Sequence, residues 1–189
     1  MRSTAPLAEV LITPELALRP AVAFEMKLKA HLMRMLSVNM DKGVQALLQA
    51  VVDWTLLVTP SVTVGLSVVH KLIGGELLTW AAMTGEHAAM AGSKMPLNHS
   101  ICGYALAQGT SQLFADPARH FTDLQWLAPP VFEVLVTPIY DRGNRPYGAV
   151  LVFGDQDWPP LSARDVQFLE FLAEHLVVAC EMASVRAKA

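Results

Sequence analysis

The sequence predicts an α+β fold, in which an antiparallel sheet carries long terminal helices packed on one face. Loops and one short helix are expected to cover the other face. Two observations support this fold class. The middle of the chain holds pairs of strand-like segments joined by short turns, and both ends of the chain follow a helical period. A sheet covered in this way is expected to hold a pocket under its loops.

The first 40 residues are predicted to be an N-terminal arm and helix, followed by a domain that covers residues 41–189. Residues 1–20 contain three prolines and are expected to be irregular. Residues 21–38 predict a helix with one apolar face, formed by Phe24, Leu28, Leu32, Met35 and Leu36. A second helix is expected to run to about Val58, with Asp41 as its N-cap.

Five segments are predicted to be strands, at residues 61–71, 77–83, 111–115, 133–140 and 147–154. The first two are joined through Gly74-Gly75, a pair typical of hairpin turns. The last two are joined through residues 141–145, which are polar and contain Gly143. We therefore expect two antiparallel hairpins.

Two further helices are predicted from their capping signals. Residues 98–109 predict a short helix that begins after Asn98 or Ser100 and ends at Gly109. The sequence Ser-Ala-Arg-Asp at residues 162–165 predicts the capped start of a long final helix. The stretch at residues 118–130, between the short helix and the second hairpin, is expected to be irregular and rich in aromatic residues.

Composition excludes several classes of protein. Hydrophobic residues make up 53% of the chain and charged residues 16%, which provides a core and excludes disorder. The net charge is −3 and basic residues form no cluster, so no nucleic-acid partner is expected. The apolar stretch at residues 43–69 is interrupted by Pro60 and contains Asp53, so no membrane segment is expected. Two cysteines far apart in sequence favour a cytoplasmic location.

Five short motifs follow one another along the second half of the chain. They are Ser100-Ile101-Cys102-Gly103, Ala107-Gln108-Gly109, Phe114-Ala115-Asp116-Pro117 with Phe121 beyond it, Val136-Thr137-Pro138-Ile139, and Tyr147-Gly148-Ala149-Val150-Leu151. In this order and spacing they resemble the GAF domain family, across about residues 41–184. The resemblance implies a GAF/PAS-like fold.

The resemblance also implies a function. GAF domains bind ligands as different as cyclic nucleotides, linear tetrapyrroles, haem, small metabolites and anions. We therefore expect a non-enzymatic domain of bacterial signal transduction that senses a small-molecule or anionic ligand. It would relay ligand occupancy through its terminal helices to a kinase or transcriptional output partner. Other GAF domains bind no known ligand, so a ligand-free dimerisation or protein-interaction module is the alternative.

The candidate ligand-binding residues surround the predicted short helix and the loop-covered face. They are Trp80, Ser100, Ile101, Cys102, Gly103, Asp116, Phe121, Trp126 and Thr137. Backbone amides at the start of the short helix would favour an anion. The three aromatic side chains would line an apolar wall, unless they fill the core.

Cys102 suggests a third and less favoured function, that of a cysteine-dependent enzyme. Free methionine sulfoxide reductases are GAF proteins with a cysteine in a similar position before a glycine. They use further cysteines in a loop that corresponds roughly to residues 118–134, where this chain has none. Cys102 is therefore expected to be a packing residue. His99 and Cys102 are three residues apart but have no second cluster to complete a metal site, while haem ligation by one of the six histidines stays open.

The final helix predicts a homodimer formed through the terminal helices. Its polar residues form one narrow stripe, consisting of Gln167, Glu170, Glu174 and Glu181. The remaining apolar surface, which includes Phe168, Leu172, Val178 and Met182, exceeds what one face of a sheet can cover. The first helix offers a matching apolar stripe. The alternative is that these two helices cover each other within one chain.

Overall fold

A computed structural model describes residues 4–19, 25–72 and 75–186 of the chain. Its helices are α1 (Leu7–Val10), α2 (Met26–Asn39), α3 (Val44–Val58), α4 (Ile101–Gln108) and α5 (Ala163–Arg186). Its strands are β1 (Thr63–Leu72), β2 (Gly75–Gly85), β3 (Lys94–Pro96), β4 (Gln112–Ala115), β5 (Glu133–Tyr140) and β6 (Pro146–Gly154). These strands form one antiparallel sheet of six strands in the order β3–β2–β1–β6–β5–β4.

The sheet is covered on both faces, as the α+β prediction requires. Helices α2, α3 and α5 pack on one face and enclose the helix-side core, whereas α4 and its neighbouring loops pack on the other face and enclose the α4-side core. Strand β6 shows why both covers are needed. Residues 148–154 are all buried, with Val150 and Val152 in the helix-side core and Leu151 and Phe153 in the α4-side core. The predicted fold class is therefore confirmed.

The two predicted hairpins are present, and the structure adds a sixth strand. Strand β1 pairs with β2, and β5 pairs with β6. Strand β3 pairs with residues 77–79 of β2. It was not predicted because three residues that include Pro96 are too short to show an alternating pattern.

The N-terminal arm contains short helical elements, so the prediction of an irregular arm is wrong for much of residues 4–19. It contains α1 and a 3₁₀ turn at Thr13–Leu18. Val10 is fully buried, and Leu11 forms a β-bridge with Phe114 of the edge strand β4. The edge of a sheet offers unpaired backbone groups, and the arm satisfies some of them. The prediction could not include this contact, because it joins residues that are about 100 positions apart.

The start of α3 corrects a second prediction. Asp41 lies in a 3₁₀ turn at Met40–Lys42, and Gly43 occupies the N-cap position with φ +86°. A positive φ is accessible to glycine without steric cost, which allows the chain to turn sharply there. Asp41 instead pairs with Arg186 at the end of α5. At the start of α5, by contrast, the capping prediction is confirmed, since the Ser162 N–H and hydroxyl both donate to Asp165 Oδ2 at 2.8 Å.

The terminal helices cover each other within the chain. Phe168 and Leu172 of α5 are 1% and 0% exposed, and they share the helix-side core with Leu32 of α2. The expectation that a second chain is needed to cover Phe168 and Leu172 is therefore wrong. Val178 is half-buried, and Met182 is 42% exposed. Phe24, which was assigned to the apolar stripe of the first helix, lies outside the described residues.

No helix within the described ranges is both long enough and apolar enough to span a membrane.

The backbones of β1 and β6 are in close contact at Gly148. A Cβ atom at this position would lie 1.9 Å from the carbonyl oxygen of Ser67. We expect Gly148→Ala to lower the free energy of unfolding by about 2–3 kcal/mol, because one of the two central strands must shift. Urea unfolding measures this change. Gly154→Ala is the matched control in the same strand. Its nearest atoms would be 3.5 Å away, so a loss similar to that of Gly148→Ala would contradict the packing argument.

Candidate functional site at the start of α4

The short helix α4 begins and ends where the sequence predicted. Ser100 is its N-cap: the hydroxyl accepts a hydrogen bond from the Gly103 N–H at 3.0 Å and donates one to the Leu97 carbonyl at 3.0 Å. Gly109 ends the helix in the left-handed conformation, at φ +72°. The side chains of Ile101, Cys102, Ala105 and Leu106 anchor α4 in the α4-side core.

The backbone amides at this helix start are not open to a ligand in the way the sequence suggested. The Gly103 N–H is already bonded to Ser100, and Ile101 and Cys102 are fully buried. A Cβ atom on Gly103 would lie 1.8 Å from the Leu97 carbonyl oxygen. The close approach of the backbone at Leu97 therefore explains why this position is a glycine, without any bound group.

A groove lies beside this helix start, with a volume of about 810 Å³. Four parts of the chain form its walls: Thr4 of the arm, residues 97–100, the outer face of α4 at Gly103, Tyr104 and Ala107, and residues 120–122. Among the lining residues whose side chains the structure describes there are two histidines and four hydroxyl-bearing residues, and no carboxylate, lysine or arginine. These side chains offer hydrogen bonds and aromatic faces.

The two histidines of the groove are held differently. His120 Nδ1 lies 2.8 Å from the Ala5 carbonyl oxygen, which can only accept, so Nδ1 carries the proton and donates it. Its ring packs edge-on against Phe121, with 4.8 Å between the ring centroids. His99 has a φ of +72°, an uncommon conformation for a residue other than glycine, and its side chain is exposed.

A second depression of about 950 Å³ adjoins the groove, and the two share Thr4 and Thr122. Trp126 lines this depression and is 87% exposed. The loop that carries Trp126 is fixed at its far end by His87, whose Nε2 donates to the Pro129 carbonyl at 2.9 Å. The other ring nitrogen of His87 lies 2.9 Å from the Thr63 hydroxyl, so the histidine connects this loop to β1.

Three of the predicted site residues belong to the interior. Trp80, Ile101 and Cys102 are at most 1% exposed and lie in the α4-side core. The Trp80 ring packs on the backbone of Gly65, where an added Cβ atom would lie 2.9 Å from it. Its Nε1–H has no hydrogen-bond partner in the described part of the chain. These side chains fill space under α4 that the sequence had suggested for a ligand.

The other predicted residues are only partly brought together. Ser100, Gly103 and Phe121 line the groove, whereas Asp116 is exposed and begins a 3₁₀ turn at Pro117–Arg119. Thr137 lies on the opposite face of the sheet. Side chains alternate along β5, so Val136 faces α4 while Thr137 faces α5, where its hydroxyl donates to Ser111 at 3.0 Å.

Sequence reasoning did not identify several groove residues, namely Thr4, Tyr104, Ala107, His120 and Thr122. Tyr104 and Ala107 follow from the helical period once Ser100 is fixed as the N-cap, since both lie on the α4 face that also carries Gly103. Thr4 and His120 meet only because the arm folds back along the sheet edge. No local pattern in the sequence carries that information.

The two cysteines are buried on opposite faces of the sheet. Cys102 lies in the α4-side core and Cys180 in the helix-side core. Burial raises the pKa of Cys180 to about 11, although a hydrogen bond with Tyr147 opposes the increase. In residues 4–19, 25–72 and 75–186, no three His, Cys, Asp or Glu side chains are grouped so that they could hold a metal ion.

Solved structures with the same fold include several that carry small molecules. The GAF domain of a phosphoenolpyruvate-protein phosphotransferase from Coxiella burnetii has a TM-score of 0.68 at 18% identity, covering 87% of this chain and 96% of its own. The phycocyanobilin-bound GAF domain of a cyanobacterial phytochrome has a TM-score of 0.67 at 11% identity, covering 89% and 100%. Free methionine-R-sulfoxide reductase from Neisseria meningitidis, in complex with its substrate, has a TM-score of 0.63 at 19% identity, covering 87% and 98%.

Sequence comparison identifies the family directly. None of the curated proteins is significantly similar to this chain in sequence. The family model described as GAF domain matches residues 41–181, which is most of the chain. The protein therefore belongs to the GAF domain family.

Proposed function

We propose that this chain is a regulatory domain that senses a small ligand, and that the ligand binds in the groove at the start of α4. The observation that carries this proposal is the groove itself. Its volume of about 810 Å³ lies within the range of about 300–1,000 Å³ that small-molecule sites occupy. Its walls combine convergent polar groups with the aromatic side chains of Tyr104 and Phe121.

The lining favours a particular class of ligand. None of the lining side chains that the structure describes is a carboxylate that would repel an anion. His99 and three hydroxyl groups, those of Thr4, Tyr104 and Thr122, supply donors for a carboxylate or phosphate, and the aromatic rings suit an apolar remainder. We therefore propose a small molecule that carries an acidic group. The proposal includes a cytoplasmic location and an output partner, such as a kinase or a transcriptional regulator, that responds to the terminal helices.

Structural comparison supports ligand sensing without identifying the ligand. The similar phytochrome domain holds phycocyanobilin, and the similar reductase holds its substrate. Both are below 20% identical to this chain, so they show that the fold accommodates small molecules and no more.

A dimerisation or protein-interaction module is the second candidate function, and the filled α4-side core favours it. The terminal helices also expose apolar side chains on their outer faces. Met26, Met33 and Val38 of α2 are 77%, 43% and 59% exposed, and Val185 of α5 is 69% exposed. We propose that these faces of α2 and α5 form a homodimer interface, which is compatible with ligand sensing in the groove.

A cysteine-dependent reductase is the least favoured candidate. Cys102 is 0% exposed and does not line the groove, and Cys180 lies on the other side of the sheet. A thiol that attacks a substrate must be accessible and ionised. We therefore propose that the domain is not an enzyme of this type.

The ligand site can be tested by filling the groove. Ala107 is exposed and lines it, whereas its neighbour Gln108 is exposed but is not among the lining residues. Ligand-observed NMR with amino acids, small dicarboxylates and inorganic phosphate would find binders. We expect Ala107→Trp to weaken binding at least tenfold and Gln108→Trp to change it less than twofold. Binding that survives Ala107→Trp would place the ligand elsewhere. If nothing binds and native mass spectrometry shows the bare chain, the interaction module replaces the sensor.

The accessibility of the thiols tests the reductase alternative. We expect Ellman's reagent to label less than about a tenth of a thiol per folded chain within minutes at pH 8, because both cysteines are buried. Denatured protein should release two equivalents, since the chain has two cysteines. One fast thiol that persists in Cys180→Ala and disappears in Cys102→Ala would contradict our assignment and revive the enzyme hypothesis.

The oligomeric state tests the interface. Light scattering is expected to give twice the chain mass of 20.6 kDa at micromolar concentration. Met33→Glu with Val185→Glu should produce monomers of unchanged stability, since both side chains are exposed within one chain. Leu57→Glu on α3, where the side chain is 81% exposed, is the control that should remain dimeric. A monomeric wild-type protein would refute the dimer. Leu172→Glu is unsuitable as a test of the interface, because Leu172 is fully buried within one chain.

A further inference from the structure

The N-terminal arm contacts two distant parts of the domain. We refer to residues 4–19 as the strap. The strap precedes the family match, which begins at residue 41. Its first residues lie at the groove, its middle lies along β4, and its last residue contacts the start of α5.

At the groove, the strap is bonded to the segment that carries His120. The Ala5 N–H donates to the Arg119 carbonyl at 2.8 Å, and the Ala5 carbonyl accepts from His120 Nδ1 at 2.8 Å. Glu9 and Arg119 form an ion pair at 2.8 Å. Thr4 is itself part of the groove wall. A change in this wall therefore changes how the strap docks.

The middle of the strap is fixed to the edge of the sheet. The Ile12 N–H donates to the Leu113 carbonyl at 2.8 Å, and the Leu113 N–H donates to the Thr13 hydroxyl at 2.9 Å. Val10 of the strap is fully buried and belongs to the α4-side core. This section forms a continuous bonded connection between the groove end of the strap and Arg19.

The end of the strap is bonded to the start of α5. Arg19 forms an ion pair with Glu133 at 2.7 Å and donates to the Leu161 carbonyl. The other carboxylate oxygen of Glu133 accepts from the Leu161 N–H at 3.0 Å. Leu161 directly precedes Ser162, which begins the capped first turn of α5. Arg19 and Glu133 are only 15% exposed, so solvent screens their interaction weakly.

We propose that the strap couples the groove to α5, so that occupancy of the groove changes the docking of residues 4–9 and Arg19 passes this change to the first turn of α5. The inference rests on the proposed function, because it takes the groove as the ligand site. It adds a route for the signal that lies outside the region of the family match. Such coupling is a free energy that both ends share. A disturbance at either end of the strap should therefore change the stability of the other end.

Hydrogen exchange measured by mass spectrometry tests the coupling without any ligand. Glu9→Lys places a like charge against Arg119 and should speed exchange at least threefold in peptides covering residues 4–12 and residues 157–166. The charge swap Glu9→Lys with Arg119→Glu should restore both peptides. In an Arg19→Gln background, Glu9→Lys should still act on residues 4–12 but have no further effect on residues 157–166. Unchanged exchange across α3 serves as the control for global stability.

Filling the groove is the second part of the test. Ala107→Trp should speed exchange in the same two peptides relative to Gln108→Trp, and Arg19→Gln should abolish the effect at residues 157–166. If Glu9→Lys or Ala107→Trp acts on the strap and leaves the start of α5 unchanged, the coupling is refuted and the strap is only structural. If Glu9→Lys destabilises α3 as well, Glu9→Gln replaces it. Neither result depends on the search for a ligand, so the two proposals can fail separately.

Discussion

The structure depends on a sheet in which two neighbouring strands are buried on both faces. Strands β5 and β6 are buried almost throughout, so both faces of the sheet must be covered here. Three long helices cover one face. The longest described helix on the other face is α4, which at eight residues spans about 12 Å and is shorter than β5 and β6 beneath it. Loops and the N-terminal strap must therefore complete the cover.

A cover assembled from several short segments determines where the surface of this face has room for a small molecule. Under α4, large side chains such as Trp80 and Phe114 fill the interior, so that the core there is packed. Among the described residues the Trp80 Nε1–H has no partner, at a cost of about 1–3 kcal/mol. Burying an indole of 150–250 Å² stabilises the fold by about 4–6 kcal/mol, so burial outweighs this cost. The accessible space lies instead where the segments meet, at the groove between α4, residues 120–122 and the strap.

The parts of the fold that sequence patterns predicted are those with a local cause. The start of α5 depends on Ser162 and Asp165, and the limits of α4 depend on Ser100 and Gly109, so each could be read from neighbouring residues. Most of the errors concern contacts between distant residues, and the N-cap at Gly43 in place of Asp41 is a local exception. The arm is ordered by β4, about 100 positions away, and the apolar surface of α5 is covered by α2 and α3. A pattern of apolar residues shows that a surface is buried, but it does not show which segment buries it.

The same distinction applies to the candidate site. Ser100, Gly103 and Phe121 were identified because they follow from the start of α4 and the loop after β4. Thr137 was assigned to the wrong face because the sequence does not fix the register of β5, and a shift of one residue exchanges the two faces. Thr4 and His120 could not be found at all, since their proximity is a product of the folded arm.

The two ends of the strap are held with different strength: the groove end is held weakly and the α5 end firmly. Glu9 and Arg119 are 51% and 54% exposed, and exposed pairs of this kind contribute about 0–1 kcal/mol. Arg19 and Glu133 are 15% exposed, and both carboxylate oxygens of Glu133 are used, one by Arg19 and one by the Leu161 N–H. Thermal motion or a bound molecule will therefore displace the groove end first, while the other end stays attached to α5. An element that is weakly held at the site and firmly held at a terminal helix transmits a displacement toward that helix, because the firm attachment moves with it.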